Sequence, residues 1–122
     1  VLADDPSTPI RHALEPRHES FASPASIEIL TRHGVALVVS DGAGRWPTFR
    51  HRTADFGYIR LHGAEELYAS GYTEAELAEW AGELRPDLAE GHDVYVYFDN
   101  DAKVHAPFDA LALRSQLDSG AS

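Results

Sequence analysis

The 122-residue sequence predicts an α/β fold in which four strands form a parallel β-sheet and about three helices connect them. Strand-like and helical segments alternate in the order β-α-β-loop-β-α-β-α, which favours parallel strands joined by right-handed crossovers. Capping residues and prolines mark the ends of the helical segments. The length and the 43% hydrophobic content fit one globular domain. We therefore interpret 1–122 as a single domain, with 1–10 as a connector and 118–122 as a frayed tail.

The first strand and the first helix follow the connector. The strand is predicted from about Arg11 to Arg17, with Pro16 at a position where no ladder bond is needed. Ser23 is a good N-cap, and Pro24 follows it at the first helical position. Gly34 is expected to end this short helix.

The middle of the chain contains two strands separated by a long loop. Residues 35–41, VALVVSD, are nearly all apolar and partly β-branched, which is typical of a strand covered on both faces. Residues 42–55 contain glycine and proline and no helical period, so we predict a loop, of a length that is often functional. Residues 56–63, FGYIRLHG, form the third predicted strand.

The last elements are a long helix, a strand and a final helix. Thr73 and Glu76 form a capping box, and Gly91 is expected to end the helix, which Pro86 should kink or split. The strand lies within DVYVYFDNDAKVHAP, 93–107, and Pro107 begins the last helix. The long helix has an apolar stripe that consists of Leu77, Trp80, Ala81, Leu84 and Leu88.

Three of the predicted strands carry polar and aromatic side chains at alternate positions. In the third strand we assign Phe56, Ile59 and Leu61 to a helix-covered face, and the residues of the other parity to the opposite face. Because burying unpaired charge is costly, the opposite face should line a polar cavity or a barrel interior. Its members are Glu15, Arg17, Tyr58, Arg60, His62, Tyr95, Tyr97 and Asp99.

Three blocks of the sequence resemble the YecE-like family, also known as domain of unknown function 72. They are ALEPRHESF at 13–21, YIRLHG at 58–63 and DVYVYFDNDAKVHAP at 93–107. The resemblance implies a TIM-type barrel of about 250 residues, of which this chain matches the C-terminal half. The family's marked positions at the barrel mouth then fall on Glu15, Arg17, His18, Ser20, Arg60, His62, Asn100, Asp101 and His105.

The chain departs from the family pattern in composition and in length. Asp99 and Asp109 stand where the family implies asparagine, and Val104 stands where it implies glycine. Four strands alone would leave two unpaired edges and an open barrel interior. We expect a fragment or truncated homologue that lacks the N-terminal half-barrel, with a homodimer of two half-barrels as the alternative.

The first functional hypothesis is an enzyme-type site at the C-terminal strand ends, where parallel α/β folds bind ligands. Its ligand would be small and polar, either anionic or sugar-like. The structural alternative, an internal ion-pair network of Glu15, Arg17 and Arg60, is preferred for those three residues. Asn100 and Asp101 serve equally well as turn caps. The hypothesis assigns catalytic roles to Glu15, His62 and Asp101, and substrate binding to Arg17, His18, Ser20, Arg60, Tyr97, Asn100 and His105.

Two further hypotheses come from other classes of protein. One is a non-catalytic ligand-binding or interaction module in which Trp46 and Phe49 contact a partner. The other is nucleic-acid processing, supported only by Arg45, Arg50 and Arg52. The formal net charge of −10 disfavours nucleic-acid binding, which requires clustered positive charge.

Cofactor and location are predicted only in outline. His18, His62 and His105, with Asp99 or Asp101, are ligand types for a divalent metal, but no HxH or HExxH spacing supports such a site. We prefer histidine as a general acid or base, and no cofactor is assigned. The chain has no cysteine, no apolar run near the ~20 residues of a membrane span and no signal-peptide pattern, so we predict a cytoplasmic protein.

Overall fold

The computed structural model describes residues 10–42, 47–63, 71–99 and 105–119. Several predictions fall outside these ranges. They concern the connector up to residue 9, Arg45, Trp46, Asn100, Asp101, Val104 and the last three residues of the tail.

The strands are parallel and lie beside one another in sequence order. β1 pairs with β2, and β3, β4 and β5 form a sheet in that order. Only Val38 separates β2 from β3, and its N–H donates to the Leu14 carbonyl at 2.9 Å. The strand predicted at 35–41 therefore corresponds to both β2 and β3. Its first part pairs with β1 and its second part pairs with β4. The bounds are β1 Ala13–Leu14, β2 Ala36–Leu37, β3 Val39–Asp41, β4 Phe56–Leu61 and β5 Asp93–Phe98.

The three predicted helices are present, and their ends follow the capping signals. α1 spans Pro24–His33, α2 spans Glu74–Ala89 and α3 spans His105–Ser119. A short 3-10 helix, Glu19–Ala22, precedes α1. α3 begins two residues before the predicted start and runs into the predicted tail. The described secondary structure confirms the predicted α/β class.

α2 confirms the capping box but not the predicted break. The Thr73 N–H donates to Glu76 Oε1 at 2.8 Å, and the Glu76 N–H donates to Thr73 Oγ1 at 3.1 Å. The helix is not split at Pro86 and ends three residues after it, so that the hydrogen bond lost with the proline N–H falls near the end of the helix. It ends before Gly91, whose φ of 80° suits glycine.

The main core lies between one face of the sheet and the helices α2 and α3. Leu61 is completely buried there. Leu88 was predicted to belong to the buried stripe of α2, but it is 46% exposed and lies outside the cluster. The buried members are Ile59, Leu61, Tyr72, Leu77, Trp80, Ala81, Leu84 and Leu113, with Val39, Val94, Val96, Phe98 and Leu117 packed against them.

Two buried side chains, Phe49 and Thr53, anchor the irregular segment 47–55. Phe49 is buried against Leu30 and Leu37, below α1. The Thr53 hydroxyl accepts from the Leu37 N–H at 2.9 Å and donates to the Val35 carbonyl at 2.6 Å. The prediction of Phe49 as a partner contact is therefore wrong, because its ring is part of the core.

Candidate functional site

The sheet face opposite the helices carries a row of aromatic rings. Tyr58 stacks on Tyr97 with ring centroids 5.3 Å apart, and Tyr58 and Tyr95 are 6.2 Å apart. Phe56 meets Tyr95 edge to face at 6.0 Å. The assignment of Phe56 to the helix-covered face is therefore wrong: it has the parity of Tyr58, not that of Ile59. We call these four rings, together with the charged side chains at both ends of the row, the open face.

Arg11 lies at the N-terminal end of the open face. Its Nη1 donates to Asp93 Oδ2 at 3.0 Å and to the Tyr95 hydroxyl at 2.9 Å. Its guanidinium lies 5.0 Å from the Phe56 ring centroid, which is a cation–π distance. This contact was not predicted from the sequence, although the parity that Arg11 shares with Glu15 indicates the same face of the sheet.

Glu15 is the centre of a charged cluster at the C-terminal end of the open face. Its Oε2 accepts from Arg17 Nη2 at 2.6 Å and from Arg17 Nε at 3.1 Å. Its Oε1 accepts from Arg60 Nη1 at 3.0 Å, and Arg60 Nη2 pairs with Asp99. Arg60 lies in β4, and Glu15 and Asp99 directly follow β1 and β5, so these strands position the three side chains, and Arg17 lies three residues beyond the end of β1. The structure thus brings together the predicted residues Glu15, Arg17 and Arg60.

His62 lies against the same two carboxylates. Its Nε2 is 4.0 Å from Glu15 Oε1, and its Nδ1 is 3.7 Å from Asp99 Oδ2. Burial and the nearby Arg60 charge lower the pKa of His62, although both carboxylates act in the opposite direction. The imidazole is therefore neutral at neutral pH and has a lone pair that can accept a proton.

Glu15 and Arg60 stabilise each other in the charged form. Burial raises the pKa of Glu15, but the hydrogen bond from Arg17 and the charge of Arg60 outweigh it, so that the net pKa is lowered. Burial also lowers the pKa of Arg60, but Asp99 and Glu15 raise it above its usual value. A carboxylate with a lowered pKa is a weak base. Within this cluster, His62 is thus better suited than Glu15 to carry a proton.

A groove of about 490 Å³ runs along the open face from Arg11 to the charged cluster. It has the size of a small-molecule site and combines aromatic walls with a few polar groups. Arg60 and Glu15 line its C-terminal end, and Tyr97 is 48% exposed beside them. The lining residues are Arg11, Ala13, Glu15, Val38, Phe56, Tyr58, Arg60, Tyr95 and Tyr97.

His18 and Ser20 contact each other rather than the cluster. His18 Nδ1 accepts from the Ser20 N–H at 3.1 Å and lies 2.9 Å from the Ser20 hydroxyl. His18 thereby caps the 3-10 helix. Both side chains are exposed, and their hydrogen bonds in the described structure do not extend to Glu15 or Arg60.

His105 is the first residue of α3 and lies beside Gly71 and near Tyr72. A Cβ on Gly71 would be 3.0 Å from His105 Cβ and 2.9 Å from Asp109 Oδ2. The Tyr72 N–H donates to Asp109 Oδ2 at 3.1 Å, and its hydroxyl donates to Asp41 Oδ2 at 2.9 Å. Burial and the Asp41 carboxylate raise the pKa of Tyr72. Tyr72 was not predicted as a site residue, because it precedes α2 and belongs to no strand whose alternation would assign it to a face.

The described side chains give little support to a metal site or to nucleic-acid binding. Within 10–42, 47–63, 71–99 and 105–119, no group of three or more histidine and acidic side chains is arranged to hold a metal ion. Arg50 pairs with Glu83 at 3.2 Å, and Arg52 pairs with Asp87. These two arginines therefore form ion pairs with carboxylates of α2.

No helix in the described part of the chain is both long and apolar enough to cross a membrane.

Comparison with known proteins gives a family and two solved relatives. The model of the family "Protein of unknown function DUF72" matches residues 2–122. A DUF72 family protein from Thermotoga maritima is 29% identical with a TM-score of 0.66, over 90% of this chain and 47% of that one. One from Enterococcus faecalis is 20% identical with a TM-score of 0.74, over 89% of this chain and 48% of that one.

The chain thus spans about half the length of both solved relatives. No curated protein matches it significantly. The second relative supports the fold alone, whereas the family match covers nearly every residue. The chain therefore belongs to the DUF72 family of proteins of unknown function.

Proposed function

We propose that the charged cluster at the C-terminal strand ends binds a small polar ligand, either anionic or sugar-like, in an enzyme-type site. The observation that carries the proposal is the position of Arg60, which is held between Glu15 and Asp99 with His62 against the same two carboxylates. These groups lie at the end of an aromatic groove, and Tyr97 offers its ring for stacking.

In this proposal each group has a separate role. Arg17 and Arg60 donate hydrogen bonds to ligand oxygens, and Glu15 holds both guanidinium groups in position. His62 moves the proton, since its lowered pKa keeps the imidazole neutral. Contributions of Asn100 and Asp101 remain predictions from the sequence.

The second candidate function is a non-catalytic ligand-binding or protein-interaction module in which the charged cluster is structural. It is favoured by the way in which the charges satisfy each other: Glu15 accepts from both arginines, and Asp99 pairs with Arg60. An ion-pair network of this kind also stabilises structure without chemistry. A cytoplasmic location stays a prediction of the sequence.

We further propose that the sheet is the C-terminal half of a TIM-type barrel. Support comes from parallel strands in sequence order, from helices α2 and α3 packed against one face of the described sheet, and from the match to about half of each relative. In such a barrel the open face would be the interior, and the charged cluster would lie at the mouth where ligands bind.

The ligand proposal is tested by the shift in melting temperature with a panel of sugars, sugar phosphates and carboxylic acids. We expect at least one class to stabilise the wild type. Arg60→Ala should weaken its binding about tenfold or more, since a hydrogen bond to a charged group is worth about 1.5–3 kcal/mol. Arg32→Ala removes an exposed ion pair on α1 and is the matched control, which should bind normally.

Two results would decide against the site. One is a panel in which no compound stabilises the wild type, and the other is a ligand that Arg60→Ala and wild type bind equally well. Catalysis is separated from binding with His62→Gln: an enzyme loses turnover and keeps the ligand, whereas a binding module shows no turnover in either form.

A further inference from the structure

We propose that Asp99 makes the charged cluster select uncharged, hydroxyl-rich ligands such as sugars and reject phosphorylated or carboxylate ligands. The inference rests on the proposed function, because it names the class of ligand that the same site binds. It assigns to Asp99 a role in specificity, in addition to its ion pair with Arg60.

Asp99 directly follows β5 and lies beside Arg60 and His62. Its N–H donates to the Leu61 carbonyl at 2.9 Å, which fixes its backbone against the end of β4. Its carboxylate pairs with Arg60, and its Oδ2 is 3.7 Å from His62 Nδ1. Arg60 lines the end of the groove, and both side chains of the pair are partly exposed. A ligand that reaches Arg60 from the groove therefore meets Asp99 as well.

The charges of the cluster balance. Arg17 and Arg60 carry two positive charges. Glu15 and Asp99 carry two negative charges, so that the four described side chains sum to zero. Without Asp99, one positive charge would remain, and the cluster would attract an anion. With Asp99 present, an anion that pairs with Arg60 lies close to two carboxylates, and both repel it.

Hydroxyl groups match this arrangement better than anions do. A carboxylate only accepts hydrogen bonds, and a guanidinium only donates them. A ligand hydroxyl can donate to Asp99 and accept from Arg60 at the same time, whereas an ionised phosphate or carboxylate oxygen only accepts. Arg60 can bind a ligand oxygen without losing Glu15 and Asp99, because the Nη1 and Nη2 that bind them each carry a second N–H.

Two aromatic rings beside Arg60 favour a sugar over a small ion. Tyr97 is paired with Arg60 in the register of β4 and β5, and Tyr58 stacks on Tyr97 at 5.3 Å. Both rings line the groove, and Tyr58 belongs to β4, which has a partner strand on each side. A sugar ring has a face of C–H groups that packs on an aromatic ring, while the hydroxyls at its edge reach polar groups. The rings and the balanced charges thus indicate the same class of ligand.

Calorimetric titration of the full chain with matched ligands tests this inference. Glucose is compared with its phosphate monoesters and with glucuronate, and ribose with its phosphate monoesters. The wild type should bind a neutral sugar at least about tenfold more tightly than the charged members of its set. Asp99→Asn keeps the shape of the side chain and removes its charge, so the ratio of affinities should shift about tenfold towards the phosphate ester.

Asp93→Asn is the matched control. It makes the same change at the other end of the open face, where Asp93 pairs with Arg11 at 3.0 Å, and it should leave the ratio unchanged. Both variants change the net charge of the chain by the same amount, so a difference between them is local. The inference is overturned if the wild type prefers the charged ligands, if Asp99→Asn leaves the ratio as it is, or if Asp93→Asn shifts it as strongly.

The salt dependence of binding is a second measurement that needs no variant. The affinity of the wild type for the neutral sugar should stay within about twofold between about 0.01 and about 1 M sodium chloride, because the ligand carries no charge to be screened. A steep loss of affinity with salt would contradict the inference. If a phosphate ester binds more tightly than its sugar and Arg60→Ala weakens it, the proposed function stands and this inference is wrong. If no compound binds, both are wrong.

Discussion

The two faces of the sheet differ in how their side chains are satisfied. On the helix-covered face, Leu61 and its neighbours lie under α2 and α3 and form the main buried cluster. On the open face, the tyrosines stack in a row whose outer surface is uncovered, and Tyr97 is 48% exposed. The helix-covered face stabilises the fold by burial of apolar side chains. The open face instead presents paired charges and aromatic rings to the groove, where a ligand can contact them.

The largest expected effect concerns burial on the covered face. Leu61→Ala should lower the free energy of unfolding by about 3 kcal/mol, because Leu61 is fully buried and its truncation leaves a cavity. Tyr97→Ala should cost about 1 kcal/mol, as its ring is half exposed. Urea denaturation measures both free energies of unfolding, and equal losses would refute the contrast between the faces.

The next effect concerns the charged cluster of the open face. Glu15→Gln keeps the shape of the side chain but removes the charge that accepts from Arg17 and Arg60, and it should cost about 2 kcal/mol. Glu28→Gln makes the same change in the exposed pair with Arg32 on α1 and should cost less than about 0.5 kcal/mol. If both variants unfold alike in urea, the cluster is no more stabilising than a surface ion pair.

The smallest effect is a pH dependence that arises from His62. Its pKa is lowered on folding from the ordinary 6.5, so that the unfolded chain binds the proton more tightly than the folded one. Stability should therefore fall as the pH decreases through 6.5, by at most about 1.4 kcal/mol per pH unit. Glu15, whose pKa is also lowered, adds a separate loss only below its ordinary 4.5.

His62→Gln separates the two pH windows. In this variant the free energy of unfolding should not change with pH around pH 6. It should still fall below pH 4.5, because the unfolded chain binds a proton at Glu15 more tightly than the folded chain does. A slope around pH 6 that survives the substitution would show that a group other than His62 causes the pH dependence.

Hydrophobic periodicity and helix-capping residues predicted the order of helices and strands well. Strand order followed from the alternation of elements, and Thr73 with Gly91 marked both ends of α2 because local hydrogen bonds determine where a helix begins and ends. Parity also placed Arg60 and His62 on one face, since side chains alternate strictly along a strand. These features depend on neighbours in the sequence and could be predicted from it.

Features that depend on distant contacts could not be predicted in the same way. Phe49 looked like an exposed loop residue, yet it is buried because α1 and β2 leave a space for its ring. Leu88 continued an apolar stripe but lies beyond the reach of the core. The meeting of Glu15, Arg60 and His62 required the strand register, which the sequence alone does not specify.

Thr53 limits how the segment between β3 and β4 can vary. β1 pairs with one side of β2. On the other side the Thr53 hydroxyl accepts from the Leu37 N–H and donates to the Val35 carbonyl, as the backbone of a neighbouring strand would. Insertions or deletions in this segment are therefore compatible with the fold only where they leave Thr53 and Phe49 in position.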